Sequence, residues 1–472
     1  MGFSPQMRGM MKLLCVFMLA LWAASGALCE ECSRVNQRLQ CGAFACDTNR
    51  GVCVPCNTSD ECYPRAMECR AGKCVAKDLA RGFSALSGVA LLCAFAVCSI
   101  AVLAGVGGGG ILVPMFCLLM EVPMDIAVGL SQATICGQSI LNVFFAVQKR
   151  FPSSECSRPL INYQYLTLLI PLGVIGTLIG GVLNKLCPDL LRLILLFILL
   201  ITVLYRTVRK LIAQYRKDQV VRREPIPVPS SEEEVAGTLH TPEGTPSLNQ
   251  PQYPWLEILC VVSSFIVNLA FAAWRSRTKC GGGVYIVTYC IPIIANTVLF
   301  LWYRYRLAKM ERCRLTFYWN VRTTILYPLV SVVAGIAAAM LGIGGGLVLG
   351  FVLYEVGLIP EEASVTGGAA TLFLAFSSAL SLLIEGRLLI DYAGVLFACG
   401  LLSAALGNFV FMRLIKKYKL RFLIVAALAM IIAGSLAFLS GFGIYNSLNL
   451  VNHGGSILAF GRVCRSSHHR GE

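Results

Sequence analysis

The chain has 472 residues and a formal net charge of +15, yet only 14% of its residues are charged and 57% are hydrophobic, and its mean hydropathy is +0.71. A water-soluble globular protein carries about 25% charged residues, so much of this surface faces something other than water, which excludes an ordinary soluble enzyme. The Lys and Arg residues lie between apolar runs and not on one solvated face, which argues against a nucleic-acid partner.

Arg8 and Lys12, an apolar stretch over 13–22 and the small residues Ala23-Ala24-Ser25-Gly26-Ala27 read as a signal peptide over 1–28, with an uncleaved anchor as the alternative. Nine cysteines follow within 46 residues, from Cys29 to Cys74. That density marks residues 29–80 as a disulfide scaffold in an oxidising compartment, luminal or extracellular. Cys32, Cys41, Cys46, Cys53, Cys56, Cys62, Cys69 and Cys74 form an even set whose connectivity the spacing does not fix. Cys53-Val-Pro-Cys56 also has metal-site spacing, but delivery to an oxidising lumen favours disulfides, and neither a metal nor a cofactor is expected. Asn57-Thr58-Ser59 makes Asn57 a glycosylation candidate, and the module is a candidate surface for an extracellular partner. The cysteines from Cys93 onward are scattered and read mostly as small buried hydrophobes.

Apolar segments then recur at 84–105, 110–120, 126–147, 160–183, 190–205, 255–273, 284–303, 324–341, 347–354, 363–384, 388–412 and 422–439. A spanning helix needs about 20 such residues. The segments 110–120 and 347–354 are too short, the first covering only about 16 Å at 1.5 Å per residue. These boundaries give a first transmembrane repeat over 84–208, a cytosolic disordered linker over 209–254 and two linking helices over 255–303. A basic cytosolic loop over 304–322, a second repeat over 323–443 and a C-terminal tail over 444–472 complete the chain. The basic stretches at 206–223, 304–322 and 413–421 all fall inside if each short segment is a separate pass, and Arg275, Arg277 and Lys279 then fall outside as the exception.

A shift of 237 residues lays Gly105-Val-Gly107-Gly108-Gly109 on Gly342-Ile-Gly344-Gly345-Gly346. Without a gap it also matches Pro123 with Pro360, Asp125 with Glu362, Val128 with Val365 and Thr134 with Thr371. On the topology just counted the two copies are inverted, the signature of secondary transporters with interrupted helices at the substrate site. The expected fold is an all-α polytopic membrane protein of two inverted repeats, with about 10–12 membrane segments behind the small disulfide-rich module.

Glycines lack a Cβ, so Gly107, Gly108, Gly109 and Gly110, with Gly344, Gly345 and Gly346, can expose backbone amides at the start of the next helix, where an anion is favoured. The competing reading is that they only let helices pack closely. Ser131, Gln132, Thr134, Thr366 and Thr371 are candidate hydroxyl or amide donors beside them, although Ser and Thr also bond their own helix carbonyls. No Asp, Glu or His lies near the centre of a span, which points to an anionic or neutral substrate over a cation.

Gly105-Val-Gly-Gly-Gly-Gly-Ile-Leu-Val-Pro114 and Leu341-Gly-Ile-Gly-Gly-Gly-Leu347 resemble the sulfite exporter TauE/SafE family, also called the four-toluene-sulfonate uptake permease family. Lys149-Arg-Phe-Pro152, Arg158-Pro-Leu-Ile-Asn-Tyr163 and Gly180-Gly-Val-Leu-Asn184 are similar to its plant-type branch, and the resemblance spans roughly 84–443. The second copy departs from the first with Phe351 for Pro114 and Gly367-Gly368 for Leu130-Ser131, so the halves are not chemically equivalent. The resemblance implies transport of small sulfur-containing anions such as sulfite, sulfonates or thiosulfate. The expectation is a non-enzymatic secondary transporter working by alternating access in the lipid bilayer of the plasma membrane or a secretory endomembrane. The alternative is a cell-surface receptor or assembly protein anchored by its membrane domain. An intramembrane enzyme is disfavoured because no nucleophile, base or metal cluster falls within the spans.

Overall fold

The computed structural model describes residues 37, 41, 43–47, 51–62, 67–77, 85–104, 107–150, 158–223, 251–311, 315–411, 426, 429–441 and 443. The expected signal peptide, Cys32, linker residues 224–250 and the C-terminal tail lie outside the described residues.

The cysteine module is two short antiparallel hairpins, β1 (Ala45–Asp47) with β2 (Val52–Val54) and β3 (Met67–Arg70) with β4 (Lys73–Ala76). The second turns on Ala71 and Gly72, both at positive φ (50° and 73°), the two-residue geometry that matches strand twist. Disulfides Cys41–Cys53, Cys56–Cys69 and Cys62–Cys74 tie the hairpins together, and Cys46 is also disulfide-bonded. Cys53 and Cys56 therefore sit in different disulfides, and the pair is not a set of free thiols for a metal. Asn57 is exposed.

The membrane region comprises α1 (Ala85–Ala104), α2 (Gly109–Leu119), α3 (Met124–Val147), α4 (Tyr163–Leu186), α5 (Asp189–Arg223), α6 (Trp255–Arg277) and α7 (Gly283–Lys309). After a π-helical turn at Arg322–Leu326 come α8 (Tyr327–Leu341), α9 (Gly346–Val356), α10 (Pro360–Ile384) and α11 (Ile390–Leu406), with α12 (Ala429–Gly441) last among the described residues. Nine helices in the described residues are long and apolar enough to cross a membrane, while α2, α9 and α12 are shorter. The expected linker start at 209 is too early, because α5 runs on to Arg223. Lys, Arg, Gln and Leu are good helix formers, so the helix has no local reason to stop where its apolar face ends. Likewise α7 continues to Lys309, into the segment read as a basic loop.

The two interrupted regions share boundaries as well as sequence. The shift of 237 carries Gly109–Leu119 onto Gly346–Val356, and the last residues of α1 and α3 onto the last residues of α8 and α10. Each short helix opens on a left-handed glycine, Gly108 at φ 69° and Gly345 at φ 75°, with no side-chain cap. An L side chain at either place would be strained, which explains the glycines locally. Helix α8 ends on Gly342 at φ 76°, whose N–H donates to Ala338 O, the usual glycine termination. Pro360 opens α10 at a first-turn position where its missing N–H costs nothing.

Packing is reciprocal between the halves: α4 lies on α8 and α1 on α11, α3 on α11 and α4 on α10, and α3 on α10. Helices α3 and α10 run antiparallel, since Asp125 at the start of α3 meets Arg387 beyond the end of α10, and Glu362 at the start of α10 meets Arg158 beyond the end of α3. Small residues allow the closest crossings. A Cβ at Gly335 would overlap Gly173 O, and one at Gly400 would overlap Thr134 O. Helix α4 is central, with 89% of its span buried, against 28% for α6 and 33% for α7. The exposed Leu259, Ile266, Ile294 and Val298 of α6 and α7 are the faces a bilayer would cover.

Candidate functional site

The two glycine segments meet across the interface between the halves. A Cβ on Gly109 would lie 2.6 Å from Ile343 Cα, and the Cβ positions of both Gly107 and Gly344 run into the Ile135 side chain. Ile135 of α3 thus packs against both segments where they meet. The first turns of α2 and α9 carry no side-chain cap, and each helix adds its positive dipole end.

The neighbouring donors named from the sequence are all buried, and most are engaged. Ser131 Oγ donates to Gly342 O at 2.8 Å and Gln132 Nε2 to Ala338 O at 2.6 Å, so both satisfy carbonyls at the end of α8. Gln132 Oε1 has no hydrogen-bond partner. Thr134 Oγ1 donates to Leu130 O and Thr371 Oγ1 to Gly367 O, each at 2.8 Å, equivalent bonds 237 residues apart within their own helices. Thr366 lies elsewhere, accepting from Asn162 N at 3.0 Å. The structure therefore brings Ser131, Gln132 and Thr371 to the glycine junction, sets Thr134 against Gly400 of α11, and places Thr366 in a separate polar cluster.

That cluster closes one end of the α3/α10 pair. Glu362, 2% exposed, accepts from both terminal nitrogens of Arg158 at 2.7 and 3.1 Å and from Asn162 Nδ2 at 3.1 Å. Asn162 Oδ1 also caps α4 through Tyr165 N at 3.1 Å and accepts from Thr316 Oγ1 at 2.8 Å. At the opposite end, Arg387 Nη2 lies 3.3 Å from Asp125 Oδ2.

Beside that second end a small polar cleft of about 20 Å³ lies between α4, α6, α7, α8 and α10. Thr177, Asn184, Arg275, Tyr289, Ser381 and Glu385 line it. Lys185 Nζ is 2.9 Å and Arg275 Nη2 is 3.7 Å from the two oxygens of Glu385. The sequence reading missed this group, treating Arg275 only as an exception to the charge rule for loops. The signal was present: Ser264, Asn268, Ala272 and Arg275 recur at helical spacing and form the buried face of α6.

Residues 90–266 match the family model described as "Sulfite exporter TauE/SafE". The chain is also 26% identical to "Sulfite exporter TauE/SafE family protein 3" of Arabidopsis thaliana, over 76% of this chain and 79% of that protein. It is 22% identical to family protein 1 of the same plant, over 76% and 84% respectively. Residues 90–266 are thus similar to the TauE/SafE domain. This TauE/SafE segment holds the first glycine copy and α1 to α6 in part; the similarity to the plant proteins extends over most of the chain. The nine long apolar helices and this similarity to a family of membrane transporters make the protein an integral membrane protein, with a lipid bilayer around its helices. No solved structure matches the chain.

Proposed function

We propose that the chain is a secondary transporter of small sulfur-containing anions, such as sulfite, sulfonates or thiosulfate, and that the glycine junction is its central binding site. The observation that carries this reading is the meeting of two equivalent, left-handed glycine turns across an interface whose paired helices α3 and α10 are antiparallel. Equivalent helices running in opposite directions are what an inverted repeat requires, and two such helix starts concentrate amide donors where an anion loses water. The printed names of the plant relatives support sulfite as the reference anion.

In this mechanism the halves rock about the junction. The Arg158–Glu362 cluster closes one end and the Arg387–Asp125 pair the other, so that opening one leaves the other shut. Ser131 and Gln132 of the first half hold the end of α8 in the second, and they couple the junction to that movement. No step needs a nucleophile, base, metal or cofactor. Asn57 is proposed to carry a glycan on the disulfide module, which is accessory to transport.

The test is flux of radiolabelled sulfite, thiosulfate and taurine in proteoliposomes, comparing wild type with Gly109→Leu and Gly345→Leu after checking monodisperse elution. Flux of at least one anion in wild type and its loss in both variants is the expected result. Absence of flux for all three under either gradient direction removes the sulfur-anion reading.

A further inference from the structure

The cleft at the end of α10 carries three observations that point to a ligand. Two cations face one carboxylate, Lys185 Nζ at 2.9 Å from Glu385 Oε2 and Arg275 Nη2 at 3.7 Å from Oε1. Glu385 thus holds its two oxygens where two oxygens of a small oxyanion would sit. Arg275, 5% exposed, keeps Nε and Nη1 without a hydrogen-bond partner while its guanidinium lies 4.3 Å over the Tyr289 ring. A buried donor left unmade costs about 1–3 kcal/mol, and Tyr289 fixes the guanidinium so that its fork is ready for a planar or tetrahedral anion.

The third observation is continuity with the glycine junction. Inward from Glu385 along α10 come Ser381 and Ser378 in the cleft wall, then Ser377, which accepts from Asn268 Nδ2 at 2.5 Å and lies 3.2 Å from Thr177 Oγ1. The next turns bring Leu374 against Gly345 and Thr371 against Gly344. From Glu385 to Thr371 the distance is about 21 Å at 1.5 Å per residue. Polar and ionisable side chains buried inside a membrane domain commonly line substrate or ion pathways.

We propose that this cleft is a second oxyanion-binding site, in which Arg275 and Lys185 hold the ligand and Glu385 is the internal carboxylate that the ligand displaces. The proposal rests on the anion-transport reading and adds the place where the anion is held on its way to or from the glycine junction. A doubly charged oxyanion outcompetes a single carboxylate for two cations, and its departure lets Glu385 return.

The experiment is equilibrium binding of sulfite, thiosulfate and sulfate to the full-length protein in detergent. Arg275→Gln is expected to weaken binding at least about tenfold, a loss of 1.4 kcal/mol. Glu385→Gln is expected to tighten it by about the same factor, because the internal competitor is gone; a purely structural ion pair gives no such gain. Gly181 lines the cleft, and a Cβ there meets no atom within 4 Å. Gly181→Leu therefore starts from an uncrowded position and carries its side chain towards the cleft, and it is expected to abolish binding while thermal stability is kept.

Wild-type affinity in both Gly181→Leu and Glu385→Gln overturns the proposal, even if Arg275→Gln fails to fold, and so does wild type binding none of the three anions. Flux on the same preparations separates the two readings. A wild type that transports, with Gly181→Leu and Glu385→Gln keeping its KM, leaves transport standing and removes the cleft; a wild type that carries no anion removes both.

Discussion

Asp125 and Glu362 occupy the same place in the two halves, each at the start of the helix that follows an interrupted one, and each is bound by an arginine of the other half. The two pairs are unequal. Glu362 is 2% exposed and takes two bonds from Arg158, whereas Asp125 and Arg387 are 11% and 17% exposed and approach at 3.3 Å. Removing one partner of a well-buried pair strands the other charge and costs about 3–5 kcal/mol, and the cost falls as a pair is more open to solvent. Glu362→Gln is therefore expected to lower the melting temperature of the detergent-solubilised protein more than Asp125→Asn. The double change Arg158→Met with Glu362→Met should recover part of the loss, because no charge is left unpaired. Equal shifts for the two single variants would mean that the ends are held alike.

Glycines at the crossings differ from glycines on the periphery. A Cβ at Gly335 would overlap Gly173 O and lie 2.8 Å from Thr177 N, all backbone atoms that move only if α4 and α8 part. Gly335→Ala is expected to cost more than about 3 kcal/mol, the upper end for overpacking that side chains can absorb, and to broaden the elution profile. Gly394 in α11 is exposed, with no atom within 4 Å of its Cβ position. Gly394→Ala should stabilise by about 0.5–1 kcal/mol through helix propensity alone. Similar thermal unfolding curves for the two variants would show that the α4/α8 crossing is looser than its geometry.

Much of this architecture was legible in the chain because its breaks are local. Gly108, Gly345, Gly342 and Pro360 mark their turns through backbone conformation, which depends on neither partner nor membrane. The match of Asp125 with Glu362 was also visible, but their arginines were not, since Arg158 and Arg387 lie in connections of different length and fall out of the repeat. Side-chain roles at the junction were less readable still. A serine that offers a donor and one that spends it on Gly342 O look alike in sequence, and only the approach of the other half decides. Arg275 shows the same limit, because a loop charge and a buried one differ only in which helix face they share, and that face is defined by tertiary contact.

Among its described residues the cysteine module buries little beside its cystines, Ala45 and Met67, and its strands are three and four residues long. A unit of this size does not fold on hydrophobic burial alone, and each disulfide closing 12 or 13 residues is worth roughly 3 kcal/mol. Cys62→Ser with Cys74→Ser is expected to open residues 41–76 to limited proteolysis in the full-length protein while the fragment from α1 onward stays intact. Unchanged resistance in the module would show that the other bridges suffice.

Cys280, in the connection between α6 and α7, is disulfide-bonded, unlike Cys93, Cys98, Cys136 and Cys260 within the helices. A stable disulfide needs an oxidising compartment, so this connection is expected on the same side as the cysteine module despite carrying Lys279 close to Arg275 and Arg277. Burial of Arg275 against Glu385 and Tyr289 removes one of those charges from the count that sets loop orientation, which weighs solvated Lys and Arg. In sealed membranes, reduction and alkylation with membrane-impermeant reagents should label Cys280 under the same conditions as Cys41 and Cys53, as read by peptide mass. Labelling of Cys280 only where the module cysteines are protected would put α6 and α7 the other way round and, with them, the cleft of Arg275 at the opposite face of the membrane.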